Sequence, residues 1–262
     1  MTRAAASRVN VLVGLALLFA AAAGPAAARA QKAPETEAAR EVRAVTDDEA
    51  KAALERFAVI VKSGDAKALP PAIESLGDTP HALVVAEIEK HWGAAKAETS
   101  VKLAALKALS RMNAALAGPV LQKAFKSKKN AENPKLYAAI IDAVAASGTK
   151  VSAQALIDLV PIDASREDPN VVRAAVTALG KMKEKKAVDL FIKILEVDPN
   201  AQPENPGPND PPASYWKAVW ERWQAVEPAL KAALADITGE TFANGKEARE
   251  WYRKNKGRLR IP

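Results

Sequence analysis

The chain has no cysteine. It therefore forms neither a disulfide nor a thiol-linked lipid, a lipoprotein anchor is excluded, and any exported form must hold its fold by packing alone. Histidine is nearly as scarce, with His81 and His91 the only two. Ten residues apart in one expected helix, they would sit about 15 Å apart along its axis and could not share a metal ion. A Gly-rich phosphate loop and a serine in a nucleophile-elbow context are also missing. The paired acids Asp47 and Asp48 fall at an expected helix N-terminus, where the helix dipole accounts for them. No catalytic residue, no cofactor and no metal site are expected. Long hydrophobic runs are lacking too: the most apolar stretch, Val11 to Ala23, holds 13 residues, whereas a membrane-spanning helix needs about 20.

That short run has the setting of a secretory signal. Arg3 and Arg8 precede it, and Ala28-Arg29-Ala30 offers a small-x-small cleavage site before Gln31. The expectation is a signal peptide over 1–30, cleavage near Ala30, and a periplasmic or secreted protein with no transmembrane anchor. Cleavage would remove Arg3, Arg8 and Arg29 and no acid, so the formal charge falls from +7 to +4. The remainder is mildly basic and mixed in sign, which favours solubility over a dedicated nucleic-acid surface. Residues 31–45 are polar and Ala-rich without an apolar period and read as a flexible leader.

What the chain does have is an interval of 35 residues. Ala104, Ala139 and Ala174 share one column, Ala108, Ala143 and Ala178 a second, Leu109, Val144 and Leu179 a third, and Leu106, Ile141 and Val176 a fourth. Four more follow: Val120, Ala155 and Leu190; Leu121, Leu156 and Phe191; Ala124, Leu159 and Ile194; Phe125, Val160 and Leu195. With 49% of residues hydrophobic, a column of three agrees by chance about one time in eight, so eight agreeing columns point to a repeat. A period in this range marks a helical solenoid whose units each bury one apolar face against their neighbours.

The helix starts repeat as well. Asn133-Pro134 and Asp168-Pro169 each put a capping side chain before a proline suited to the first turn, and Thr99-Ser100 is expected to do the same one unit earlier. Each unit is then two antiparallel helices joined by a short turn, with small alanines letting backbones approach. Before the regular units, Thr46 and Glu49 fit a capping box for a helix to Lys62, broken by Ser63-Gly64-Asp65. A divergent first pair follows: Ala66 to Gly77, then a helix through His81 to His91 opened by Thr79-Pro80. In it Leu76-Gly77 occupies the place of Leu179-Gly180, displaced by two residues.

The stretch from Asp168 to Gly180, with Pro169, Val172, Arg173, Ala174, Ala175, Ala178 and Leu179, resembles a HEAT-like repeat of the short bacterial type. The resemblance covers roughly Thr46 to Asp198. It implies an all-α, right-handed α-solenoid of about four helical hairpins, whose second helices line a concave binding surface. Arg173, a frequent residue in such repeats, is replaced by Ala138 and Leu103 in the two preceding units, which puts a continuous inter-repeat charge ladder in doubt.

Periodicity stops at Pro199, where a proline-rich segment, 199–213, cannot sustain helical hydrogen bonding and reads as an extended connector. Four of the five tryptophans lie beyond it, in a C-terminal helical cap over 214–262. Trp216, Trp220 and Trp223 fall at i, i+4 and i+7 on a helix starting near Ser214 and form an aromatic stripe. A seal over the last repeat is one reading and a stacking platform for a sugar or peptide the other. A second helix is expected from Pro228 to Ile237, and Asn244 to Glu247 offers a further cap. The run Ile237-Thr238-Gly239, Phe242, Trp251-Tyr252 and Lys254-Asn255 resembles a tail seen in exported bacterial HEAT-like proteins and implies shared architecture.

Basic residues gather in three places. Lys181, Lys183, Lys185 and Lys186 lie on the turn inside the last unit, and Lys126, Lys128 and Lys129 on a connection between units. In a two-helix solenoid these turns project from opposite edges, so no shared phosphate groove and no nucleic-acid partner are expected. Arg253, Lys254, Lys256, Arg258 and Arg260 read as a solvated tail, with contact to an anionic envelope polymer or membrane surface as the alternative.

The function expected from this pattern is a non-catalytic, exported scaffold that binds a protein or peptide partner. Its expected site is the outward face of the second helices, where Lys123, Asp158 and Lys193 form one column and Pro119, Gln154 and Asp189 another. The same residues could instead pair across repeats, weakly when exposed. Carbohydrate binding through Trp216, Trp220 and Trp223 is the alternative. A cofactor chaperone related to HEAT-like bilin lyases is a further one, carried by the repeat resemblance alone.

Overall fold

In the computed structural model of the protein, residues 44–94, 97–161, 168–197, 207 and 210–259 are described, all within one compact unit, Ala44–Pro262. The expected signal peptide, most of the leader and most of the proline-rich segment lie outside the described residues.

The fold starts where the capping box predicts. Helix α1, Asp47–Ser63, is capped by Thr46, whose hydroxyl accepts from the Glu49 amide while the Glu49 carboxylate accepts from the Thr46 amide at 2.9 Å. Gly64, at φ 71°, closes it in the left-handed conformation that glycine adopts without penalty. The first pair is α2, Leu69–Ser75, continued by a 3-10 turn over Leu76–Asp78, and α3, Ala82–Gly93. Here the cap differs from expectation. His81, rather than Thr79, holds the N-cap, its Nδ1 accepting from the Leu83 amide at 3.3 Å. His81 is thus outside the helix that carries His91, because its extended backbone (φ −147°) turns the ring back onto the first turn.

Three regular pairs follow. The first is α4, Thr99–Ser110, with α5, Ala114–Lys126; a short helix α6, Lys128–Ala131, leads to the second, α7, Pro134–Ser147, with α8, Ala153–Ile157. The third is α9, Pro169–Lys181, with α10, Val188–Glu196. Asn133 and Asp168 cap α7 and α9 with prolines behind them, as their spacing predicts. Thr99-Ser100 does not cap: α4 has Glu98 at its N-cap position without a side-chain bond to the backbone, and Thr99 is already helical. Helix α8 is much shorter than its counterparts α5 and α10. Pro161 disfavours a helical Val160, so the segment turns after Ile157.

The aligned columns face inward. Leu121, Leu156 and Phe191 are fully buried, as are Leu109 and Leu179, and Val144 very nearly so. The first helices stack in one row, α2 on α4, α4 on α7, α7 on α9, and the row continues with α11, Ala213–Thr238. Among the second helices α1 packs on α3, α3 on α5, and α10 on α12, Gly245–Leu259, while α8 rests on α9. The chain is therefore an all-α solenoid of helical hairpins. Its C-terminal cap, α11 and α12, extends both rows in the way another repeat would.

Two expectations for the cap are corrected. The segments around the aromatic stripe and after Pro228 form one 26-residue helix, not two. Pro228 removes a single intrahelical hydrogen bond, and packing of the following turns on α9 outweighs a cost of about 3 kcal/mol. The basic tail is the helix α12, docked through buried Ala248 and Leu259. Asn244 accepts from the Glu247 amide at 3.0 Å, and the Glu247 carboxylate accepts from the Ala243 amide at 2.7 Å.

Glycine sets the spacing of these rows. A Cβ at Gly77 would lie 2.8 Å from the Ala108 backbone of α4, and one at Gly180 would lie 2.8 Å from Ala233 of α11. The displaced Leu76-Gly77 and the regular Leu179-Gly180 thus perform the same task, bringing the next first helix into backbone contact. At the other row, a Cβ at Gly245 would lie 2.5 Å from the Leu195 backbone. Substituting Gly180→Ala or Gly245→Ala should lower stability in chemical denaturation by about 1–3 kcal/mol through overpacking. Gly257→Ala, in an α12 position with open space around it, should instead raise stability by up to about 1 kcal/mol.

Candidate functional site

The outward face of the second helices carries the column residues, and the structure engages each differently. On α5, Lys123 reaches back to Glu89 of α3 at 3.3 Å. Next to it, Pro119 is an exposed residue inside the helix. Gln154 donates to Asp158 at 2.7 Å, both on the rim of the short α8. On α10, Lys193 pairs with Asp189 one turn earlier at 2.8 Å. Lys123, Asp158 and Lys193 do not bond to one another; each pairs with a different residue.

The densest polar cluster joins α10 to α12. Arg249 inserts its guanidinium between two carboxylates: Nε and Nη2 donate to Glu196 at 2.8–3.1 Å, and Nη1 donates to Asp189. Its side chain is only 17% exposed, so these bonds lie partly out of water and gain strength accordingly. Hydrogen bonds from Lys193 and then Arg249 hold the Asp189 carboxyl below the usual carboxylate range. The Arg249 hydrogen bonds do the same for Glu196 and raise the Arg249 guanidinium above its ordinary value. Sequence spacing shows Asp189 and Lys193 as an i, i+4 pair. Arg249 was not legible there, because Glu196 and Arg249 lie 53 residues apart, outside the 35-residue register.

Charge pairs also cross the row of first helices. Arg111 of the α4 end bonds Glu74 and Asp78 at 3.0 Å each, Lys107 bonds Glu74 at 3.3 Å, and Arg173 bonds Asp142 at 3.4 Å. Arg173 finds a partner although Ala138 and Leu103 stand at its equivalent positions. The pairs form an irregular ladder from non-equivalent residues rather than one repeated bond.

Trp216, Trp220 and Trp223 are half-buried and take no part in the apolar core, which α11 enters only from Val226 onward. The last repeat is sealed by Val226, Leu230, Ala233 and Leu234 of α11 with Ala248 and Leu259 of α12. The Trp216 indole donates to the Pro211 carbonyl at 3.2 Å, and Trp220 and Trp223 stack with centroids 5.4 Å apart at 10°. The Trp223 Nε1 is buried without a hydrogen-bond partner. The fourth, Trp251, packs against the core and edge-on to Phe242 at 5.6 Å.

The histidines serve local structure. His81 Nε2 lies 3.2 Å from Asp47 of α1. His91 lies 3.4 Å from Glu87 and meets Phe57 edge-on at 5.2 Å. Among the described residues no group of three or more His, Cys, Asp or Glu is placed to hold a metal ion, and no helix is long and apolar enough to cross a membrane.

Residues 129–203, which include α7 to α10, match the family model of HEAT repeats. Over that segment the chain is similar to HEAT repeats, and the helical pairs on either side of it pack in the same rows. No curated protein and no solved structure matches it. Repeats of this kind generally serve as non-catalytic scaffolds for protein interaction.

Arg249→Gln should separate the contribution of the α10–α12 clamp. Asp189 and Glu196 have folded values below their unfolded ones, so their stabilisation is present above the usual carboxylate range, near pH 4, and fades as pH falls through the lowered folded values. At pH 7 the variant should be less stable than the wild type by on the order of 1–3 kcal/mol. That gap should narrow as the pH is lowered below about 4, when read by urea denaturation at each pH.

Proposed function

We propose that the chain is a non-catalytic, exported scaffold that docks a protein or peptide on the outward face of its second helices. The observation that carries this reading is the division of labour in those helices. Their inward columns are consumed by the core, while Lys123, Gln154, Asp158 and Lys193 present exposed polar side chains and Asp189 lies half-buried beside them, held by Arg249 and Lys193. Surfaces of this kind give a partner an extended set of preset contacts. Export rests on the signal-like segment before Gln31. Photo-crosslinking from Lys123 in exporting cells should label one specific envelope protein, and Lys123→Glu with Lys193→Glu should reduce that labelling severalfold. Unchanged labelling in the double variant would move the site elsewhere.

A second reading, binding of cell-wall carbohydrate, is favoured by the three half-buried indoles outside the core. Trp220 and Trp223 stack on each other, half-buried, and a sugar would pack on the part of each ring that remains exposed. Soluble cell-wall fragments should then quench tryptophan emission, and Trp220→Ala should abolish the quenching. An unchanged emission spectrum at millimolar fragment would remove this reading.

A further inference from the structure

Charge is balanced unevenly along the solenoid. In the inter-repeat pairs described above, each cation has a carboxylate partner within 4 Å: Lys123 with Glu89, Lys107 and Arg111 with Glu74, Arg173 with Asp142. Exposed lysines such as Lys62, Lys126 and Lys150 have no carboxylate within 4 Å among the described residues, but they stand apart from one another; the groove between α10 and α12 gathers its cations in one place. Four cations, Lys193, Arg249, Arg253 and Lys256, line it together with only two carboxylates, Asp189 and Glu196.

Both carboxylates are already committed. Arg249 occupies Glu196 with two nitrogens and Asp189 with a third, and Lys193 takes the remaining side of Asp189. Arg253 and Lys256, both exposed, have no carboxylate within 4 Å among the described residues, although Arg253 lies near enough to Glu196 to help hold its carboxyl below the usual range. Their placement is helical: Arg249, Tyr252, Arg253 and Lys256 fall at i, i+3, i+4 and i+7, one face of α12. The adjoining face of that helix is fixed to the core by Ala248, Trp251 and Leu259. The Tyr252 ring lines the same groove, partly buried against the core. The basic groups are therefore held on a rigid wall, unlike the lysines on the α9–α10 turn.

We infer that the α10–α12 groove is the docking site for an acidic segment of a protein partner, with Arg253 and Lys256 pairing to its carboxylates and Tyr252 packing against its side chains. The inference rests on the scaffold reading above and names the partner chemistry. A protein segment suits the groove better than a polyphosphate or an anionic membrane. The Asp189 and Glu196 oxygens keep lone pairs beyond those that Arg249 and Lys193 take, so they disfavour an unbroken line of negative charge but can accept hydrogen bonds from the backbone N–H groups that alternate with carboxylates in a peptide. Complementary charge of this kind sets specificity and association rate, and its effect weakens with salt.

The test uses the full chain and a fluorescein-labelled 12-residue peptide of alternating Glu and Ala, followed by fluorescence anisotropy at low salt. The peptide should bind, its Gln/Ala counterpart should not, and Arg253→Glu with Lys256→Glu should raise Kd by about tenfold or more. Lys183→Glu with Lys185→Glu should leave Kd unchanged, and thermal unfolding should show that both double variants remain folded. Equal affinity in the Arg253/Lys256 variant overturns the inference. So does tighter binding to vesicles containing phosphatidylglycerol, or to a single-stranded oligonucleotide, than to the peptide. A partner crosslinked from Lys123 while the acidic peptide ignores the groove removes this inference alone and leaves the scaffold standing.

Discussion

Close approach of backbones at small residues is the constraint on which the rest of this solenoid depends. Gly77 against Ala108 and Gly180 against Ala233 bring successive first helices together with at most an alanine methyl between them. Once those helices touch, most of the Ala columns and the Leu and Val columns beside them are buried, and dispersion contacts accumulate along the row. The second helices inherit their positions from that spacing. Their outward faces are therefore presented at intervals set by glycine and alanine rather than by the polar residues themselves.

Much of the fold was legible in sequence because the features that determine it are local or periodic. Column identity at 35 residues, a proline behind a capping side chain, and a capping box at Thr46 each act within a few residues or recur at fixed distance. The misses have the same explanation in reverse. Nothing local distinguishes Thr79 from His81 as a cap, since the choice depends on where the backbone becomes extended. Pro228 looked like a boundary because its intrinsic cost is visible in sequence, whereas the α9 surface that offsets it is not. Helix α12 looked like a tail because its composition is basic, and the narrow apolar stripe of Ala248, Trp251 and Leu259 was outweighed by charge.

The polar surface shows a sharper divide. The columns Lys123, Asp158, Lys193 and Pro119, Gln154, Asp189 were readable as outward positions, yet their bonding partners were not. Lys123 goes to Glu89, 34 residues back, close to the repeat interval but between different columns. Arg249 reaches Asp189 and Glu196 from a helix outside the regular repeats. Ion pairs are settled by which long side chains meet across a groove, and a period constrains backbones far more tightly than it constrains the ends of Lys and Arg.

Helix α11 spans about 39 Å at 1.5 Å per residue, but only the part after Val226 enters the core. It behaves as two thermodynamic regions joined end to end, with Pro228 near the junction where one hydrogen bond is missing. Opening of the first region exposes little of the shared core, so it does not require the repeats to separate. Tryptophan emission from this protein is then a composite of two processes. Trp216, Trp220 and Trp223 report local fraying, while Trp92 and Trp251, packed on the core, report dissolution of the solenoid itself.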